Sequence, residues 1–397
     1  MKRILALAAL IGLVGGASAW VLRDAVGGPP SIAGSVSCAT FMLAKGDSVL
    51  VGHNLDDAVN DTPGMIVVNK RGVAKESVSY RDLSSSAGRD DSLPRLNWVA
   101  RHGSITYNVF GKEFPDGGVN EAGLYVGEMT LQGSVYPTDP KLVKMYHHAW
   151  MQYLLDSFAT VPEVLDSLSK VTVDGHCQWH FFVADRAGRA AVVEFDEDKT
   201  LVYTGDALPV KVSTNFTYPS CLEVLARYEG FGGSASVDYG ETEKDRRFVW
   251  AAAMIQETEA GPAEPGVDQA FRILEQMWCG ANRWALVYDL RRMRVWFTTE
   301  KCRTLRWADS ASFDFSCETP AMALDINRDL AGDTAARFTV LTDDHNAAMV
   351  RQYFAGLDVG LLGNLFWKGR MVKRLDAYQR QCSCPREGKT ADPPTSG

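Results

Sequence analysis

Cys38-Ala39-Thr40-Phe41-Met42-Leu43-Ala44 runs through the Lys45-Gly46-Asp47 turn into Ser48-Val49-Leu50-Val51-Gly52-His53-Asn54-Leu55-Asp56. Both runs, and the Gly64-Met65-Ile66-Val67-Val68-Asn69 stretch that follows, have strand length and are bounded by Gly and Asp turn signals, so a sheet is predicted to begin at the cysteine. Upstream, residues 20–37 are rich in Gly, Pro, Ser and small residues without an apolar period, and read as a linker or propeptide. Earlier still, Lys2 and Arg3 precede an uncharged run from Ile4 to Leu22 that carries the small triplet Ala17-Ser18-Ala19. Residues 1–19 therefore read as a secretory signal cut before Trp20; an uncleaved anchor competes, but the Gly and Ser content and the A-x-A site favour cleavage. No later segment is apolar enough to span, which predicts an exported chain, periplasmic or extracellular, with no membrane span after signal cleavage.

Beyond the hairpin, strand-like and helix-like patterns come in blocks. Gly103–Gly111 and Gly123–Leu131 read as strands flanking a Pro115-Asp116-Gly117-Gly118-Val119-Asn120-Glu121-Ala122-Gly123 turn, and residues 147–158 and 161–171 carry apolar positions at helical spacing. A three-strand meander is predicted over 180–205, helices at 221–231, 246–258 and 267–278, and a hairpin over 285–300. Blocks of strands and blocks of helices argue for α+β layers rather than alternating βαβ units.

The chain has 397 residues, 46% hydrophobic and 23% charged, a balance that excludes disorder, collagen and a miniature disulfide scaffold. A net charge of −8 argues against a nonspecific grip on nucleic acid. There are eight cysteines: Cys38, Cys177, Cys221, Cys279, Cys302, Cys317, Cys382 and Cys384. With Cys38 reserved as a reactive thiol an odd number remains, so at least one more stays unpaired. Cys382-x-Cys384 reads as tail chemistry, open to a bridge with the body.

The common nucleophile-elbow, zinc-protease, dinucleotide and P-loop motifs are absent from the sequence, which leaves Cys38. If the chain is cut after Ser37, Cys38 becomes a terminus and supplies nucleophile and base together. An α-amine of pKa roughly 7.7–8.0 beside a thiol of roughly 8.5 makes the proton transfer nearly balanced. A neighbouring arginine would shift the thiol further toward thiolate. Core filling or half of a disulfide is the competing reading of an isolated cysteine before a strand. A lipobox fails, because Ser35 and Val36 fit poorly and the cysteine lies too far past the apolar run.

The Cys38-Ala39-Thr40-Phe41 start leading to Gly52-His53-Asn54-Leu55-Asp56 resembles the opening of the cysteine N-terminal nucleophile amidases: bile salt hydrolases, penicillin V acylases and the wider linear amide C–N hydrolases. The resemblance continues in order through Phe114–Leu124, Trp150–Asp156, His180–Asp185, Ser213-Thr214-Asn215 with Tyr218, Asp245–Val249 and Trp284–Leu290, over roughly residues 38–350. It implies the four-layer αββα N-terminal nucleophile fold, with a catalytic domain over 38–355; residues 356–397 are a C-terminal extension whose last dozen residues look disordered from their composition. It implies Cys38 as nucleophile with its amine as base, Asp56 holding that amine, Asn215 serving the oxyanion and Arg247 favouring the thiolate. His53 stands where the family commonly has Arg, exchanging a fixed charge beside the substrate for a pH-dependent one. Thr130 falls where penicillin V acylases have Tyr and bile salt hydrolases Asn, so neither branch's substrate preference transfers. The implied reaction is hydrolysis of a small acyl amide through a thioester, with no metal or organic cofactor, after self-cleavage by Cys38 attack on the Ser37 carbonyl. A homo-oligomer, an acyltransferase of the same fold and a non-catalytic disulfide-stabilised binding protein stay open as alternatives.

Weaker candidates remain. His176-Cys177-x-x-His180 offers metal-ligand types, but His180 begins a strand and no fourth ligand is evident, so no metal is expected. His147-His148 reads as surface or interhelical packing, and Asn120-Glu121 as residues that shape a Gly-rich turn.

Overall fold

The strand Ala39–Lys45 lies second from the edge of a seven-stranded sheet in the order Val212–Ser213, Ala39–Lys45, Ser48–Asp56, Asn282–Asp289, Arg294–Thr299, Arg306–Asp309, Gly332–Asp333. Its pairing with Ser48–Asp56 is antiparallel, with Thr40 opposite His53 and Ala39 opposite Asn54, so the sequence-predicted hairpin forms around the Gly46 turn, where φ is +58°. A second, nine-stranded sheet has the order Lys199–Thr204, Ala190–Asp196, Trp179–Asp185, Leu124–Thr130, Gly117–Asn120, Ser104–Asn108, Met65–Asn69, Met322–Asp325, Thr339–Val340. Pairing is antiparallel throughout both sheets except between Arg306–Asp309 and Gly332–Asp333. The computed structural model describes residues 37–385 other than 58, 198, 241–245 and 281. The expected signal 1–19, most of the expected linker 20–37 and the last dozen residues lie outside the described residues.

Strand alternation distributes the side chains between layers. Phe182 and Ala184 join the large core cluster that also holds residues of the first sheet, whereas Phe181 and Val183 join a second cluster with Trp150, Leu154 and Val164. The latter three come from the helices His147–Ser157 and Val161–Ser167, which cover the outer face of the second sheet. Thr160 caps the second of these, accepting from the Glu163 amide while Glu163 reaches back to the Thr160 amide. The helices Arg246–Ala260 and Val267–Gln276 pack on the first sheet through Ala39–Lys45 and Ser48–Asp56. The layers are therefore helix, sheet, sheet, helix: the α+β, αββα arrangement expected from the sequence.

Two expectations need correction. Within the predicted Pro115–Gly123 turn, Gly117–Asn120 is a central strand of the second sheet. Two glycines weaken the strand signal, but a Cβ at Gly117 would stand 2.4 Å from Tyr107 Oη and one at Gly118 2.6 Å from the Ile105 carbonyl oxygen, so packing demands them. The turn proper is Glu121–Gly123. Asn120 Oδ1 accepts from the amides of Ala122 and Leu124 at 3.1 and 3.0 Å, and Gly123 adopts φ +86°. Of the two readings of His147 and His148, surface or interhelical packing, the surface one fails: both are buried at the start of their helix.

Past residue 355 the chain stays with the body. Leu357, Trp367, Met371 and Leu375 enter the main core, the helix Lys368–Gln381 packs on Asp343–Gly356, and Cys384 forms a disulfide with Cys317. No helix among the described residues is long and apolar enough to cross a membrane.

Candidate active site

Cys38 occupies the threshold of the first strand, one residue before Ala39 pairs with Asn54, so the hairpin brings it beside the end of Ser48–Asp56. Its Sγ lies 3.7 Å from the Asp56 carbonyl oxygen and 3.9 Å from Glu128 Oε1. Arg247, in the first turn of the helix Arg246–Ala260, is buried and aims its guanidinium at the peptide before the cysteine. Nη1 donates to the Ser37 carbonyl at 2.5 Å and to the Cys38 carbonyl at 3.4 Å, while Nη2 donates to Asn215 Oδ1 at 2.7 Å. Asn215 in turn donates from Nδ2 to the Thr130 carbonyl at 2.7 Å. Cys38, Asp56, Asn215, Arg247 and Thr130, drawn from five separate parts of the chain, thus meet around the Ser37–Cys38 bond.

The electrostatics differ from expectation at two points. Burial pushes the Cys38 thiol well above its ordinary value, and the carboxylates of Glu128 and Asp56 push it further up. With Ser37 still attached, Arg247 donates to the carbonyls of Ser37 and Cys38 on either side of the bond to be cut. His53 carries no pH-dependent charge: burial pushes its pKa down to about 3, its Nδ1 is 2.7 Å from Thr40 Oγ1, and its ring lies 5.5 Å from that of Tyr107. A neutral, fully buried imidazole in the core does not replace an arginine facing substrate.

Two residues of the site were missed from sequence. Glu128 is a buried carboxylate beside the thiol, held well above its ordinary pKa by burial and by Asp116, Asp57 and Asp56. Its signal was a single charge inside the apolar strand run Leu124–Thr130. Cys279 donates from Sγ to Asp56 Oδ2 at 2.7 Å and lies 3.7 Å from the Ser37 carbonyl oxygen. No spacing rule relates it to Cys38. Asp57, next to Asp56, is raised to about 6 by burial.

The sequence triplet His176, Cys177 and His180 does not converge as spaced. His180 Nε2 contacts the Thr214 carbonyl oxygen at 2.6 Å and Nδ1 lies 3.3 Å from Glu194 Oε1. His176 and Cys177 stay in the preceding loop, where their neighbour is His147.

The sequence and the fold have parallels among known proteins. The penicillin V acylase of Pectobacterium atrosepticum is 26% identical over 263 residues, covering 56% of this chain and 69% of that protein. The structure of penicillin V acylase from Agrobacterium tumefaciens superposes with a TM-score of 0.64 at 22% identity, covering 77% of this chain and 98% of that one. A variant of the conjugated bile acid hydrolase from Clostridium perfringens superposes at 0.60 with 16% identity, over 74% and 98% of the respective chains. The two structures share the fold seen here. The family model of the linear amide C-N hydrolases, choloylglycine hydrolase family, matches residues 38–277, beginning at the cysteine around which the site is assembled. The chain belongs to that family of linear amide hydrolases.

Proposed function

We propose that the protein is an exported N-acyl amide hydrolase whose nucleophile is the Cys38 thiol, freed when the Ser37–Cys38 bond is cut. The observation that carries this reading is the set of donors on that bond: Arg247 Nη1 holds the Ser37 carbonyl, with the Cys279 thiol 3.7 Å away. Charge developing on the Ser37 oxygen when the Cys38 sulfur attacks its carbon would be stabilised by the guanidinium, which stays protonated across the working pH range. Collapse of that adduct breaks the Ser37–Cys38 C–N bond and protonates the Cys38 amine, and hydrolysis of the resulting Ser37 thioester releases the upstream peptide.

In the processed enzyme the same sulfur, deprotonated by its own α-amine, attacks the carbonyl carbon of an acyl amide. The Asn215 amide stabilises the oxyanion, the C–N bond breaks, and the leaving amine takes the proton. Water then attacks the thioester, returning the thiol and releasing the carboxylic acid. Asp56, at the end of the paired strand beside Cys38, would orient the amine through its carboxylate, whose Oδ2 accepts from Cys279 in the uncut chain. The relatives' names make penicillin V and conjugated bile acids the first compounds to assay. Export is supported by the Cys317–Cys384 disulfide and by the Lys2-Arg3 leader.

Intact mass and N-terminal sequencing of the exported protein, together with a Cys38→Ala variant, test the reading. The expected result is a chain starting at Cys38 that hydrolyses acyl amides, and an alanine variant that keeps its upstream residues and is inactive. Hydrolysis by the variant, or by a chain that still begins upstream of Cys38, would overturn it.

A further inference from the structure

The loop between the strands Val171–Asp174 and Trp179–Asp185 folds onto the first residue of the helix His147–Ser157. The contact gathers His147, His176 and Cys177, whose ligand atoms all lie within 4.8 Å of one another. His147 is 0% exposed, and both ring nitrogens of His147 and of His176 are buried without a hydrogen-bond partner. Buried imidazoles ordinarily find partners, and here two neighbouring rings leave four nitrogen atoms unused.

The surroundings are aromatic and offer those nitrogens little. The Trp179 ring is 4.1 Å from His147, Tyr80 stacks on His176 at 5.2 Å, and Trp367 meets His176 edge-on at 5.3 Å. Gly175 permits the close approach: a Cβ there would fall 1.9 Å from His147 Cδ2. His148 lies 4.6 Å ring to ring from His147 with Nδ1 on the Pro115 carbonyl oxygen at 2.9 Å, which makes that nitrogen the donor and leaves the lone pair on its unpartnered Nε2.

We propose that His147, His176 and Cys177 bind a divalent ion of the zinc class, with the fourth position filled by water or by His148 Nε2. One sulfur and two nitrogens are the donors of a borderline-soft metal; magnesium and calcium demand oxygen. Ligand atoms of a tetrahedral zinc shell stand about 3.3–3.8 Å apart, so closure needs shifts of about 1 Å. Binding replaces the Cys177 S–H bond with a metal–thiolate bond and releases the proton to solvent. His176 and Cys177 are half-buried, which gives the ion a route in, while His147 anchors the inner side. The ion would pin the 175–178 loop to the helix start. The Cys177 thiol lies within electrostatic reach of Glu128, the carboxylate beside Cys38, but the ion would use none of the ligands that the nucleophile's chemistry requires.

Cobalt titration of the full chain, made without a histidine tag and treated with chelator, tests the proposal. One cobalt per chain should bind with a thiolate-to-cobalt charge-transfer band and intense tetrahedral visible bands. Cys177→Ala should abolish the charge-transfer band, His176→Gln should weaken binding at least tenfold, and zinc should raise the melting temperature of the parent but not of Cys177→Ala. Absence of the sulfur band from the parent protein, or its persistence in Cys177→Ala, overturns the site; the parent spectrum decides even if a variant fails to fold.

Discussion

Arg247 Nη2 donates to Asn215 Oδ1 across 2.7 Å and thereby fixes the orientation of the asparagine amide. A guanidinium has no acceptor, so the amide oxygen faces it and Nδ2 turns toward the Thr130 carbonyl. Asn215→Ala is expected to lower kcat by about 10²–10³, the usual cost of losing one oxyanion donor, and to lower the melting temperature, because the buried Arg247 guanidinium and the Thr130 carbonyl each lose a hydrogen-bond partner. Arg247→Lys keeps the charge but loses the fork that spans the Ser37 carbonyl and Asn215, and should slow turnover and processing together. Steady-state kinetics and the ratio of uncut to cut chain read both effects.

Glu128→Gln should make Cys38 more acidic. Burial is the largest influence raising the thiol and the Glu128 carboxylate the next, so removing that charge lowers the pH at which sulfur ionises. The pH profile of Cys38 alkylation in the uncut chain, followed peptide by peptide by mass spectrometry, should move toward lower pH relative to the uncut parent. An unchanged or upward-shifted profile would contradict the placement of Glu128 beside the sulfur.

Asp57→Asn should change how stability depends on pH. Burial raises the Asp57 carboxyl to about 6, against hydrogen bonds from the Val59 amide and the Tyr353 hydroxyl and the charge of Arg283. The folded chain holds this proton more tightly than the unfolded one. Its stabilising contribution is therefore full below the ordinary carboxylate range and lost as pH rises through about 6. The difference corresponds to about 3 kcal/mol, so the variant should gain about that much relative to the parent between about pH 4 and pH 7. Urea unfolding of both proteins at the two pH values measures it.

Opening the Cys317–Cys384 disulfide should destabilise the chain. The bridge closes 67 residues of sequence and holds the end of the helix Lys368–Gln381 to the body. In the loop-entropy account that constraint is worth about 4 kcal/mol. Cys384→Ser should shift the denaturant midpoint downward, and reductant should shift the parent but not the variant.

What the sequence disclosed and what it hid follow from range. The strands from Cys38 to Asp56 were legible because apolar runs of strand length stand between Gly and Asp turns, and the outer helices because their apolar residues repeat at helical spacing. The strand Gly117–Asn120 was hidden because its glycines answer to Tyr107 and the Ile105 carbonyl, neighbours only in space. His53 was misjudged for a related reason: residue type gives an imidazole's ordinary pKa, but depth of burial decides whether it titrates. Cys279 and Glu128 lie in no recognisable pattern with Cys38, and only folding sets them beside it. His147 likewise reaches Cys177 from another element, displacing the His180 that spacing had suggested.

The grip of Arg247 on both the Ser37 carbonyl and Asn215 has a consequence for timing. Under the proposed chemistry, a newly made chain has its would-be base locked in a peptide bond, so it emerges from the ribosome as a latent zymogen. It is incapable of attacking the amides of the cell that makes it, and the cut that arms it follows a separate, earlier cut that discards the address label.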